Sequence, residues 1–293
     1  MKIKSEMATC YLIIAHKEPD QVQALIASLY SPEDFFYVHI DRKYPNILSS
    51  LQQKMSLKKE NIYLASHTVC TWGGISLVDV QIRSFSEILA IGIAFSHLIV
   101  ISGQDYPLKE PERINSYLEA NMSMSFLECV NLEQEWPQAL KRATHSYFEM
   151  GIFNNRRIPL FKRNQVFPNT YWYGGSSWIT LSVDVCEYVC FSADSIKLRE
   201  FLKYSKCPDE FFFQTLLCNS EFSKNIVNNC LRHIEWGAEL GYRGAHPKLF
   251  DLTHIHKLES IKKNNLENLF VRKIHYSEKL YFMLNTSQLQ LSH

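Results

Sequence analysis

Short unbroken apolar runs alternate along the chain with segments whose apolar residues recur every three or four positions. Cys10-Tyr11-Leu12-Ile13-Ile14-Ala15-His16 is the first run, and continuous apolar character of this kind predicts a strand buried on both faces. Lys17-Glu18-Pro19-Asp20 breaks it. Val22, Leu25, Ile26 and Leu29 then repeat at helical spacing, with Asp20 as the expected N-cap. Residues 35–41 predict a second strand closing on Asp41, residues 47–55 a helix, and residues 62–65 a short strand. Val78, Ile82, Phe85 and Leu89 mark a long amphipathic helix after the Trp72-Gly73-Gly74 turn, and residues 97–102 a further buried strand. This strand–helix alternation predicts an α/β fold, a mostly parallel Rossmann-like sheet with helices on both faces.

The second half is less regular. Pro111 opens a helix to Leu118, and residues 124–130 read as a strand carrying Glu128. Residues 131–172 form a polar and aromatic excursion with Lys141-Arg142, Arg156-Arg157 and Lys162-Arg163, a length that usually carries function. Residues 177–182 return to strand, followed by helices near 183–190 and 195–204. With no internal repeat and no low-complexity linker, residues 1–293 are expected to form one domain. Its nucleotide-binding half would span about 1–120, and its acceptor-binding and catalytic half about 121–293.

Composition narrows the chemistry. The chain is 46% hydrophobic and 21% charged, enough for a large core, and a net charge of +1 gives no reason to expect nucleic acid. The eight cysteines form no C-x-x-C pair and mostly lie in apolar runs, so they are expected to be reduced, buried thiols of a cytosolic protein. Polar Lys2-Ile3-Lys4-Ser5-Glu6 leads straight into a strand, unlike a signal peptide, and no apolar run is long enough to span a membrane.

Ligands of such sheets bind beyond the carboxyl ends of the strands, where His16-Lys17, Asp41 and Gly103-Gln104-Asp105 close the runs. A second candidate is Cys207-Pro208-Asp209-Glu210-Phe211-Phe212-Phe213. Pro208 suits the first position of a helix, and the positive helix end would keep Asp209 and Glu210 ionised at a cleft edge, as a general base requires.

Several of these pieces, in this order, resemble the core-2/I-branching β-1,6-N-acetylglucosaminyltransferase and peptide O-xylosyltransferase family. They are Ile13-Ile14-Ala15-His16-Lys17, Tyr37-Val38-His39-Ile40-Asp41-Arg42-Lys43, Thr71-Trp72-Gly73-Gly74, Ser102-Gly103-Gln104-Asp105-Tyr106-Pro107, Gly175-Ser176-Ser177-Trp178 and Pro208-Asp209-Glu210. The resemblance implies a GT-A fold and an inverting glycosyltransferase that takes a UDP-sugar donor and needs no divalent metal or other cofactor. Consistently, the sequence holds no Asp-x-Asp with which a metal could grip the diphosphate. Positive side chains must then serve the leaving group.

By resemblance, Glu210 is the catalytic base. Ile13, Ala15 and Asp41 line the uridine pocket, with Gln104 and Asp105 near the donor. Lys273 and an arginine, Arg243 or failing that Arg232 or Lys248, meet the diphosphate. Glu128, Arg142 and Trp236 face the acceptor. The implied partners are a UDP-sugar and a glycan or lipid-linked glycan, the product a bacterial surface polysaccharide made in the cytoplasm. N-acetylglucosamine leads as donor sugar, ahead of xylose or a hexose. The aromatic and basic excursion would suit peripheral contact with a membrane. Two rivals stand beside this reading. One is an inactive sugar-nucleotide-binding scaffold; the other is a Rossmann oxidoreductase, disfavoured because no G-x-G-x-x-G follows the first strand.

Overall fold

The computed structural model describes residues 8–55, 60–149, 157–164, 166–168, 170–236, 247–265 and 267–289. The first half alternates as expected: β1 (Ala8–Ala15), α1 (Pro19–Leu29), β2 (Phe35–Ile40), α2 (Pro45–Lys54), β3 (Ile62–Ala65), α3 (Ser76–Ile91) and β4 (Phe95–Ser102). After it come β5 (Asp105–Pro107), α4 (Pro111–Glu119), β6 (Ser125–Phe126), β7 (Val130–Asn131) and α5 (Pro137–Thr144). The excursion contributes a hairpin, β8 (His145–Glu149) and β9 (Arg157–Lys162). Next are β10 (Tyr173–Gly174), β11 (Thr180–Ser182), α6 (Val183–Phe191), α7 (Ala193–Leu202) and α8 (Phe212–Cys218). The chain finishes with β12 (Ile226–Val227), β13 (Arg232–Ile234), α9 (Ile255–Asn264), β14 (Phe270–Arg272) and α10 (Glu278–Leu289).

A seven-stranded sheet, ordered β12-β6-β11-β4-β1-β2-β3, organises these elements. Its pairs are parallel except where β11 runs antiparallel between β4 and β6. Side-chain alternation sends Leu12 and Ile13 of β1 to opposite faces. Leu12 joins Val78 and Phe85 of α3 and Val185 of α6, while Ile13 joins Val22, Leu25 and Leu29 of α1. Both faces are covered, which is why β1 and β4 read as unbroken apolar runs. A second sheet, β13-β14-β5, sits beyond the carboxyl end of β4 and pairs Arg272 with Asp105.

Local details depart from the sequence expectations. The cap of α1 is Glu18, in left-handed backbone, and Asp20 lies one step inside the first turn. Glu128 sits between β6 and β7 rather than within one strand, because pairing switches there from β11 to β10. The expected helix from Pro208 is broken: Pro208–Glu210 is a single 3₁₀ turn, and α8 starts only after Phe211 leaves helical backbone. Cys129 and Cys218 form a disulfide, so the expectation that all eight cysteines are thiols fails for this pair. Their separation of 89 residues left no spacing signal. The other six are free and, apart from half-buried Cys190, buried. Among the described residues no helix is long and apolar enough to cross a membrane.

Candidate active site

The candidate base is fixed from both sides. Gly73, in left-handed backbone at φ 68°, accepts the Cys207 N–H at 2.9 Å, so the Trp72-Gly73-Gly74 turn holds the entry to the Pro208 turn. On the exit side, Gly175 N–H donates to the Glu210 carbonyl at 3.0 Å. The Gly174-Gly175 pair is wedged between the two carboxylate-bearing segments. A methyl group on Gly175 would stand 2.0 Å from the Glu128 carbonyl oxygen, and one on Gly174 would stand 2.7 Å from Leu132 and 3.1 Å from the Glu210 carbonyl. Gly175→Ala must therefore move backbone, and is expected to cost ~3 kcal/mol of stability, as other overpacked sites do. Gly174→Ala meets a side chain that can turn aside and should cost about 1 kcal/mol. Urea unfolding of the two variants checks the ranking; equal losses would contradict it.

The Glu210 carboxylate accepts a hydrogen bond from the Arg142 guanidinium at 2.8 Å, and its side chain keeps 30% of its surface open. Arg142 lies over the rings of Trp136, at 4.7 Å, and Phe211, at 5.2 Å, which fix its direction. Burial pushes the Glu210 carboxyl up to about 7 against the pull of Arg142, and the neighbouring charges of Asp209 and Glu128 add to the rise. This corrects the expectation that a helix end keeps Glu210 ionised: a one-turn 3₁₀ segment offers little dipole, and desolvation dominates. Asp209 accepts from the Ser177 hydroxyl at 2.7 Å.

The other side of the crevice is positive. Asp105 is wholly enclosed. It receives Ser102 N–H at 2.7 Å, the Ser102 hydroxyl at 2.6 Å, Arg232 Nε at 3.3 Å and Arg272 Nη1 at 3.3 Å. Arg272 also donates to Ser102 Oγ and stacks its guanidinium over Trp178 at 4.3 Å. The loop of residues 174–178 therefore touches both ends of the site, with glycines against Glu128 and Glu210, Ser177 on Asp209, and Trp178 under Arg272. Lys273 follows Arg272, half-buried, and burial, Arg272 and Lys17 all lower its ammonium pKa. Burial lowers the His16 pKa, and Lys17, Lys273 and Lys43 reinforce it, so these cations surround the carboxyl end of β1.

Comparison with known proteins fixes the family. The family model for Core-2/I-branching enzyme matches residues 9–267, most of the chain. The chain belongs to the Core-2/I-branching enzyme family. Its helix-flanked, mostly parallel sheet is the α/β architecture expected from the sequence. Among curated proteins, Xylosyltransferase 2 of Mus musculus is 29% identical over 250 residues, and that of Canis lupus familiaris 28%; each match covers 82% of this chain. The chain spans 28% of the length of these relatives. Among solved structures, mouse Xyloside xylosyltransferase 1 aligns at 11% identity with a TM-score of 0.38, covering 93% of this chain and 99% of that one. Galactosyltransferase LgtC aligns at 7% identity with a TM-score of 0.42, covering 95% of each chain.

The site residues expected of this Core-2/I-branching domain fare differently from one another. Glu210, Arg142 and Glu128 are brought together, as the hydrogen bond and the electrostatic influence of Glu128 on Glu210 attest. Asp41 lies at the end of β2, its N–H on the Ala15 carbonyl at 2.9 Å and its carboxylate on Lys43 Nζ at 3.4 Å. Gln104 is half-buried, its carbonyl accepting Ile274 N–H at 2.9 Å, and Trp236 is exposed rather than packed in the core. Ile13 and Asp105 need correction. Both are 0% exposed, so neither side chain is open to touch a donor; Ile14, the half-buried neighbour on the other face of β1, is the more accessible of the pair, and Ala15 keeps 4%. Arg232 is fully enclosed against Asp105 and cannot serve the diphosphate, whereas the Lys248 carbonyl accepts Lys273 N–H at 3.4 Å. Arg243 lies outside the described residues. Arg272, Trp178 and Ser177 join the candidate site without having been given a role from the sequence, although the Gly175-Ser176-Ser177-Trp178 and Phe270-Val271-Arg272-Lys273 runs were both visible there.

Proposed function

We propose that this domain is an inverting, metal-independent glycosyltransferase moving a sugar from UDP to a hydroxyl of a cell-surface glycan precursor, free or lipid-linked. N-acetylglucosamine is the first candidate donor sugar, with xylose and hexoses next. The observation that carries the reading is the Glu210–Arg142 pair, with a carboxyl near neutral pKa, joined through the 174–178 loop to the Arg272–Lys273 cations.

Chemistry follows in one displacement. The acceptor hydroxyl gives its proton to Glu210 as its oxygen bonds to the anomeric carbon. The bond from that carbon to the phosphate oxygen breaks on the opposite side, and UDP leaves with the electron pair. One displacement inverts the configuration. Lys273, with Arg272 or Lys248 beside it, meets the charge growing on UDP, while Arg142 and Glu128 orient the acceptor. Metal independence is supported by the fate of Asp105: the acid at the turn after β4 is spent on two arginines rather than turned toward the crevice.

Calorimetric titration of UDP and a panel of UDP-sugars, with and without EDTA, tests this reading. UDP is expected to bind equally in both conditions, and transfer or slow donor hydrolysis to survive EDTA. A loss restored by manganese would overturn the metal-free mechanism, and no binding of any UDP-sugar would overturn the donor.

A further inference from the structure

Beside the acceptor end of the site, but on another face of α5, lies a cavity of about 310 Å³ between α5, the end of β9 and α7. That volume suits one sugar-sized group. Lys141 and His145, four residues apart and so on one side of the chain, line it, while Arg142 between them turns to Glu210. Lys162 of β9, paired across the ladder with His145, lines it too. Trp172 and Phe201, with ring centroids 5.6 Å apart, make an aromatic wall.

The charge in this cavity is poorly offset. Burial lowers the His145 pKa, and Lys141, Lys162 and Arg163 each lower it further, so four basic groups share one space. Glu133, exposed at the rim, is the acid that lines the cavity with them. Arg163 anchors the wall: its Nη2 donates to the Ala143 carbonyl and the Ser205 hydroxyl, each at 2.6 Å, and its guanidinium lies 4.0 Å from the Phe201 ring. Its buried Nε finds no acceptor among the described residues.

We propose that this cavity is a subsite for an anionic substituent, a phosphate or a carboxylate, on the acceptor glycan. It rests on the glycosyltransferase reading for its purpose, though not for its existence. Lys141 and Lys162, which both line the cavity, would hold the anion, and the aromatic residues beside them would pack against the sugar that bears it. Because α5 carries both Lys141 and Arg142, an anion held here sets where the acceptor hydroxyl meets Glu210. The substrate class is accordingly an acidic glycan rather than a neutral one.

Two titrations test this. Inorganic phosphate and glucuronate are each titrated into the protein saturated with UDP, then into Lys141→Ala/Lys162→Ala and Lys273→Ala. Both lysines of the double variant are exposed, so the fold should survive, and UDP affinity reports it. The wild type is expected to bind at least one anion, with affinity lowered about tenfold in the double variant and unchanged in Lys273→Ala. Preference for phosphate or for glucuronate would name the substituent, and either supports the subsite. Failure of both to bind the wild type, equal binding by the double variant, or loss confined to Lys273→Ala would overturn it. Failure of UDP to bind would instead strike the donor assignment, and leave the anion result to be read on its own.

Discussion

Glu210→Gln is expected to lower transfer by about 10²–10⁴-fold, the range for loss of a general base, while leaving UDP affinity intact. Glutamine keeps the size of the side chain and can still accept from Arg142, so positioning is largely preserved and basicity alone is removed. The pH profile makes the assignment sharper. A base works only when deprotonated, and burial holds this carboxyl near 7, so kcat/KM should fall as pH drops through about 7. Arg142→Ala removes the cation that opposes this rise and should move the acid limb to higher pH. The linked effect on stability has a definite sign. A carboxyl raised in the folded state binds its proton there more tightly than in the unfolded chain, so stability falls as pH climbs from the ordinary carboxylate range through about 7. Glu210→Gln should therefore gain stability relative to the wild type as pH rises across that window. An acid limb that stays put in Arg142→Ala, or turnover that survives in Glu210→Gln, would dismiss Glu210 as the base.

The sheet was legible because burial on both faces writes itself as unbroken runs, and β1, β2 and β4 lie within one or two residues of where those runs place them. Helix α3 was equally clear, since Val78, Ile82, Phe85 and Leu89 repeat at helical spacing, and Val78 and Phe85 are buried. What escaped depends on contacts between distant segments. Nothing local marks Ile13 as sealed and Ile14 as partly open; that follows from which helices cover each face. The disulfide joins residues whose neighbours share no motif. The 3₁₀ turn at Glu210 arises where Cys207 takes left-handed backbone against Gly73, a tertiary constraint invisible in the string Pro208-Asp209-Glu210. The position of the candidate base was readable all the same, because a proline followed by acids and then a block of phenylalanines sets a carboxylate at the edge of a core. Its chemical state was not, since desolvation depends on Arg142, Asp209 and Glu128 arriving together.

Asp105 is where loss of one side chain should cost the fold most. Two guanidiniums depend on it: that of Arg232, with no exposed surface, and that of Arg272, with 13%. Removing one partner of a buried ion pair strands the other charge away from water, a penalty of about 3–5 kcal/mol. Asp105→Ala should therefore destabilise the protein by about that amount, read as a lower urea midpoint at unchanged slope. Arg232 retains the carbonyls of Cys230 and Val100, which satisfy its hydrogen bonds but not its charge. Asp105→Asn keeps an acceptor and should lose less, and replacing Asp105 and Arg232 together by leucine and methionine should recover part of the loss, because no enclosed cation at position 232 then lacks a counter-charge. Function would register the same break differently. Arg272 is steered by Asp105 onto Trp178, next to Lys273. In Asp105→Asn at permissive temperature the donor KM should rise, while the acid limb governed by Glu210, at the far end of the 174–178 loop, stays where it was. A loss below about 1 kcal/mol in Asp105→Ala, the size of an ordinary substitution, would mean that water reaches both arginines and that the acid is not what holds the cationic side of the crevice in place.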